Sequence, residues 1–163
     1  MRIVFLGTPE FAVPSLNALT ENYEVVGVVT QPDREKDRKG RVIKGAVSSV
    51  AESKGIPVFK FEKIRTEGAD ALRSLRPDIM VTCAYGQILS EEILNIPRLG
   101  VLNVHGSLLP LYRGSAPIQR AIMNGERETG ITIMKTDVGM DSGDILSQQK
   151  VTIENDDYVG DLY

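Results

Sequence analysis

Apolar residues arrive in short bursts, and their period changes from burst to burst. Residues 2–7 form an almost continuous apolar run closed by Gly7, the pattern of a strand buried on both faces of a parallel sheet. Residues 9–19 carry Phe11, Leu16 and Leu19 at helical spacing, and Pro9 and Pro14 are tolerable only near the start of that helix. Residues 24–30 read as a second strand, so the opening is a βαβ unit. A helix over 46–54 stopped by Gly55, a short strand over 57–60, a helix over 67–75 and a buried strand over 78–84 follow. Ser90 and the acidic pair behind it mark a short helix over 90–94. The pattern then predicts a strand over 100–105 and a helix over 117–124 with Gly125 behind it. Two β-branched strands, 129–136 and 145–153, are joined by a glycine-rich loop. Residues 155–163 read as a loop and the opening of a helix, with Asn155 or Asp156 as N-cap. Strands alternating with helices, then a late hairpin, predict a three-layer α/β fold with a mostly parallel sheet.

One stretch breaks the rhythm. Residues 31–44 are polar and lack apolar periodicity. Between positions 33 and 44 six basic residues (Arg34, Lys36, Arg38, Lys39, Arg41, Lys44) face three acidic ones (Asp33, Glu35, Asp37). A connection this long is either functional or a solvated loop. The local excess of positive charge stands on a chain of net charge -3, which argues against nucleic-acid binding by the whole surface but not by a local patch. At 163 residues the chain suits one domain with a real core. No apolar run approaches 18 residues, so no membrane span is expected. The single cysteine, Cys83, lies in an apolar run and reads as a core residue in a reducing, cytoplasmic setting.

The chemistry concentrates between residues 101 and 114. Alternation along the strand points Asn103 and His105 to the same face, about 7 Å apart. Two polar side chains on an apolar strand need partners. His105 is the only histidine, so imidazole chemistry has no other candidate. A carboxylate close to an imidazole orients it and stabilises its charged form, and an aspartate of the loop 137–144 could supply one. In sheets of this kind the ligand crevice lies outside the carboxyl ends of the strands. Gly7-Thr8, Thr30-Gln31, Tyr85-Gly86 and His105-Gly106 stand just past those ends.

The strings Asn103-Val-His105-Gly-Ser-Leu-Leu-Pro110, Tyr112-Arg-Gly114 and Asp137-Val-Gly-Met-Asp141-Ser-Gly143 resemble the formyltransferase family that uses 10-formyltetrahydrofolate. Gly7-Thr8-Pro9-Glu10-Phe11-Ala12 narrows the resemblance to the methionyl-tRNA formyltransferases, in register over the whole chain. It implies a Rossmann-like formyltransferase fold and transfer of a formyl group to the amino group of initiator methionyl-tRNA. It maps Asn103, His105 and Asp141 onto the family's catalytic residues. It assigns folate contacts to Tyr85, Gly86, Gln87, Ile88 and Leu89, to Ser107, Leu108, Leu109 and Pro110, and to the backbone of Val138, Gly139 and Met140. The basic loop corresponds to an insertion that enters the tRNA acceptor end, which implicates Arg34, Arg38, Lys39, Arg41 and Lys44. Lys39 stands where the family usually has glycine, and residues 44–47 lack the usual Pro-x-Pro. The family's catalytic domain continues past residue 163 into a β-barrel domain, so residues 1–163 are expected to be a C-terminally truncated catalytic domain.

Other chemistries fit less well. One histidine and one cysteine offer few ligands for zinc, so no metal is expected. The loop 137–144 lacks the closing glutamate of a calcium loop. No second histidine exists to activate Cys83 or Ser107 as a nucleophile. A related formyltransferase acting on a sugar-nucleotide amine or a purine precursor shares the Asn-x-His and Asp. A purine-type enzyme would be expected to carry a glycine-rich phosphate loop after the first strand, which Gly7-Thr-Pro-Glu-Phe is not. A non-catalytic nucleotide-binding module has no need of the three residues together.

Overall fold

In a computed structural model, residues 1–34 and 40–163 are described. The chain folds as two compact units, Met1–Val101 and Leu102–Tyr163.

The first unit is built on parallel strands in the order β3-β2-β1-β4: β1 (Arg2–Gly7), β2 (Glu24–Thr30), β3 (Val58–Lys60) and β4 (Ile79–Cys83). β1 is central, with Phe5 opposite Val28 on one side and Val81 on the other. Its residues 3–7 are all buried, as an unbroken apolar run requires of a strand packed on both faces. The expected helix over 9–19 begins instead as a 3-10 turn, Glu10–Ala12, and becomes α1 only at Val13–Asn22. Pro14 then falls in the first α-helical turn, where its missing N–H removes no intrahelical bond. α2 (Ala46–Ser53) follows the polar stretch. The helix expected over 67–75 is α4 (Ala69–Ser74), and a short helical turn the pattern does not predict, α3 (Ile64–Glu67), precedes it across Gly68. A Cβ on Gly68 would stand 2.6 Å from the Ile64 side chain, so the glycine lets the two turns pack closely. α5 (Glu91–Leu94) is capped by Ser90, whose hydroxyl accepts from the Ile93 N–H at 3.4 Å. Val4, Leu6, Val29, Ile64, Leu72, Met80, Tyr85, Ile93 and Val101 form the core.

The second unit is antiparallel, in the order β5-β6-β7: β5 (Val101–His105), β6 (Glu128–Lys135) and β7 (Ile145–Thr152). Register places His105 opposite Thr132 and Asn103 opposite Met134. α6 (Pro117–Met123) buries Ile118 and Ala121. All eight residues of β7 are exposed, including Leu146 and Val151. The chain closes on a 3-10 turn, Val159–Leu162. The cap lies later than expected: the Tyr158 N–H donates to Asp161 Oδ2 at 2.8 Å, while Asp157 accepts from the Glu154 N–H one turn earlier. No helix among the described residues is long and apolar enough to cross a membrane.

Candidate active site

The second unit gathers Asn103, His105 and Asp141. β5 presents Asn103, half-buried, and His105, buried, on one face, as strand alternation dictates. The loop between β6 and β7 brings the Asp141 carboxylate to both: Oδ2 lies 3.7 Å from His105 Nδ1, and the Asn103 carboxamide approaches Oδ1 at 3.5 Å. The Gly114 N–H donates to Oδ2 at 2.8 Å. Asp141 is held at φ 48°, a left-handed conformation that costs a non-glycine residue free energy.

That loop is tightly specified. The Lys135 N–H donates to the Asp144 carbonyl at 2.9 Å and closes its base. Asp137 Oδ1 accepts from the Gly139 N–H and from the Ser142 hydroxyl, both at 2.9 Å. The side chains of Val138 and Met140 are 76% and 68% exposed, so this segment offers its backbone and an apolar rim rather than a packed core.

Behind the trio stands a partly buried polar network. His105 Nε2 donates to the Tyr112 carbonyl at 2.9 Å. The Ser107 hydroxyl donates to the Leu111 carbonyl at 2.6 Å. Thr132 Oγ1 donates to the Ser107 carbonyl at 2.6 Å and accepts from the Leu109 N–H at 3.1 Å and from Gln148 Nε2 at 2.9 Å. Gln148 Nε2 also reaches the Leu109 carbonyl at 2.9 Å. Segment 107–112 is thus tied to β6 and β7. Ser107 and Leu109 are buried, Leu108 is half-buried and Pro110 is exposed.

The contribution of Gly114, Tyr112, Thr132 and Gln148 is not anticipated from the sequence. Backbone groups at 112 and 114 leave no mark in a side-chain pattern. Thr132 could have been found: it shares the parity of Met134 on β6 and is a lone hydroxyl on a buried face.

In the first unit, residues just past three strand ends meet. Thr8 Oγ1 donates to the Tyr85 carbonyl at 3.4 Å and accepts from the Gln31 N–H at 3.1 Å, and Gln31 Nε2 reaches the same carbonyl at 3.2 Å. Gly86, at φ 82°, turns the chain here. Tyr85 packs into the core, where burial pushes its hydroxyl up to about 12. The Gln87 carboxamide is engaged by backbone: it accepts from the Ile64 N–H at 2.9 Å, capping α3, and donates to the Phe61 carbonyl at 2.9 Å. Leu89 packs against the core and Ile88 is 69% exposed. A Cβ on Gly7 would lie 2.8 Å from the Cys83 carbonyl, so that glycine serves the close approach of β1 and β4.

Of the basic residues singled out, Arg34 pairs with Glu62 at 2.6 Å and Lys44 pairs with Glu52. Arg41 is exposed. Arg38 and Lys39 lie outside the described residues. Asp33 joins the ends of this segment: it pairs with Lys60 at 2.6 Å and accepts from the Gly45 N–H at 3.3 Å. Among the described residues no group of three or more His, Cys, Asp or Glu is placed to hold a metal ion.

The formyl transferase family model matches residues 1–163. Methionyl-tRNA formyltransferase of Kosmotoga olearia is 52% identical over 99% of the chain, and that of Acetivibrio thermocellus 53% identical over all of it. The chain spans about half the length of the curated relatives it matches, 53% in both cases. Among solved structures, the phosphoribosylglycinamide formyltransferase of Bacillus halodurans superposes with a TM-score of 0.80 at 24% identity, over 99% of this chain and 85% of that one. A formyltetrahydrofolate deformylase from Pseudomonas syringae superposes at 0.79 and 20% identity, over 99% of this chain and 54% of that one. These likenesses carry the fold: a Rossmann-like α/β architecture with a parallel sheet and a late antiparallel hairpin, as the alternation of elements predicts. The chain belongs to the formyl transferase family.

Proposed function

We propose that the protein transfers the formyl group of 10-formyltetrahydrofolate to the amino group of initiator methionyl-tRNA, in the cytoplasm where translation starts. The observation that carries the chemistry is the meeting of Asn103, His105 and Asp141 on one face of β5. The acceptor rests on identities of 52% and 53% to curated methionyl-tRNA formyltransferases.

The amine nitrogen attacks the formyl carbon, giving a tetrahedral intermediate with a negative oxygen. The Asn103 carboxamide and protonated His105 supply donors where that charge develops. His105 Nε2 is taken by the Tyr112 carbonyl, which leaves Nδ1 as the nitrogen for reacting atoms. Asp141, directly or through a water, takes the proton the attacking amine must lose. The carbon–nitrogen bond to the folate then breaks, and the leaving nitrogen takes up a proton. The products are formylmethionyl-tRNA and tetrahydrofolate. No covalent enzyme intermediate is required.

For the folate, the exposed backbone of residues 138–140 and the apolar residues Leu108 and Leu109 of the second unit are candidate contacts. For the acceptor, the basic residues of segment 34–44 supply positive charge against phosphate. Single-turnover assays with 10-formyltetrahydrofolate and either methionyl-tRNA or glycinamide ribonucleotide decide between acceptors. Formylation of methionyl-tRNA alone is expected; transfer to the ribonucleotide alone would overturn the assignment.

A further inference from the structure

His105 carries its two nitrogens into different surroundings. Nε2 lies 2.9 Å from the Tyr112 carbonyl, and a carbonyl oxygen can only accept, so Nε2 holds a proton. Nδ1 faces the Asp141 carboxylate at 3.7 Å. The carbonyl that makes this distinction belongs to a residue in an unfavourable conformation: Tyr112 has φ 56°, costly for a bulky side chain. Something must hold it there. Its side chain is pinned, donating to Glu126 at 2.5 Å and accepting from Asn124 at 2.9 Å. Its backbone is held from inside by Ser107. That residue is fully buried, and its hydroxyl donates to the Leu111 carbonyl at 2.6 Å and lies 3.4 Å from the Tyr112 carbonyl. Ser107 is itself anchored through its carbonyl by Thr132.

We propose that Ser107 is a positioning residue for formyl transfer, holding the Tyr112 carbonyl against His105 so that the ring keeps its proton on Nε2 and exchanges protons through Nδ1 alone. The catalytic role of His105 rests on the function proposed above; the placement of its proton does not. The consequence for the reaction is specific. A neutral ring locked as Nε2–H has a lone pair at Nδ1 and cannot donate to the oxyanion. Only the doubly protonated ring can. Loss of the lock lets a neutral ring place its proton on Nδ1, where it still donates, less effectively.

Because His105 is the only histidine, nitrogen-15 labelling of histidine reports this ring without assignment. In the wild-type protein at alkaline pH the neutral ring is expected to show a protonated Nε2 and an unprotonated Nδ1. As pH falls, the second proton should enter at Nδ1. A neutral ring protonated at Nδ1 would overturn the proposal whatever the enzyme's substrate. In Ser107→Ala the two nitrogen shifts are expected to converge toward a tautomer mixture. The kcat should fall roughly tenfold, and the alkaline limb of the kcat profile should flatten. Ser107→Cys, closest in size and a weak donor, covers the case in which the alanine variant does not fold, and should shift the same way. Wild-type nitrogen shifts and an unflattened alkaline limb in a folded variant would remove Ser107 from this role.

Discussion

Gly143 is the most exacting position in the loop that carries Asp141. A Cβ built there would stand 1.8 Å from the Lys135 carbonyl oxygen and 3.0 Å from its carbon. Both are backbone atoms of β6, so no side-chain rotation relieves the clash. Restoring the 3.4 Å of ordinary contact demands a displacement of about 1.6 Å. Asp141 lies two residues away, and the Lys135–Asp144 bond that closes the loop must stretch with it. A misplacement of ~1 Å in a catalytic group costs on the order of 10²-fold in rate. Gly143→Ala is therefore expected to lower kcat at least ~10²-fold, with a loss of stability of about 1–3 kcal/mol that leaves the protein folded. Gly139→Ala is the control. Its Cβ would meet the Ser142 hydroxyl at 2.1 Å, the end of a side chain that can rotate away at the cost of its bond to Asp137. Its kcat should fall no more than ~10-fold, since that bond is worth only ~1 kcal/mol. Rates from formyl-transfer assays and thermal melts of the three proteins decide it. A folded Gly143→Ala protein with near-normal kcat would refute the claim that the loop's position sets the rate.

Cys83 is buried, and burial pushes its thiol up to about 11, so thiol reagents at pH 8 should modify it only as the protein unfolds. Fast native-state labelling would contradict that. The Asp33 carboxyl feels burial, which pushes it up. The Lys60 ammonium and the Gly45 N–H outweigh that and hold it below the usual carboxylate range. Its contribution to stability should be present above about pH 4 and fade as pH falls through its lowered value. Melts of wild type and Asp33→Asn should accordingly differ at pH 7 and converge near pH 2. Arg38→Ala should raise KM for methionyl-tRNA and flatten its salt dependence, by a slope of about 0.7 per lost phosphate contact, without altering folate binding. Equal loss with a small formyl acceptor would assign the basic segment to solvent.

The parallel core is legible because its signal is local. The apolar runs at 2–7 and 79–83 can be buried on both faces only inside a sheet, and Gly7 closes the first. The helix over 67–75 is legible as α4, but the turn before it, α3, is not: four residues give no periodic signal, and only the structure shows Gly68 in close approach to Ile64 between the two. Nor does the pattern of β7 reveal that all of it faces solvent, since β-branched content does not distinguish an edge from a core strand. Within the site, alternation places Asn103 and His105 on one face from the sequence alone. The choice of Asp141 over Asp137 or Asp144 comes from the family likeness; in the structure its carboxylate lies against both His105 and Asn103. Tyr85 and Gln87 show the opposite limit. The family likeness assigns both to the folate, and nothing in the sequence tells that Tyr85 also packs in the core or that the Gln87 carboxamide accepts from the Ile64 N–H at the start of α3.

The central claim is that Asn103, His105 and Asp141 act on the transferring formyl group and are not merely buried polar partners. Single-turnover transfer from 10-formyltetrahydrofolate to methionyl-tRNA, measured for Asn103→Ala, His105→Ala and Asp141→Asn beside folate affinity, tests it most directly. Oxyanion donors are typically worth about 10²–10³ in rate and general bases about 10²–10⁴, so each variant should lose at least ~10²-fold while melting cooperatively and binding folate within a few-fold of wild type. A folded variant that transfers the formyl group at nearly the wild-type rate would contradict the account.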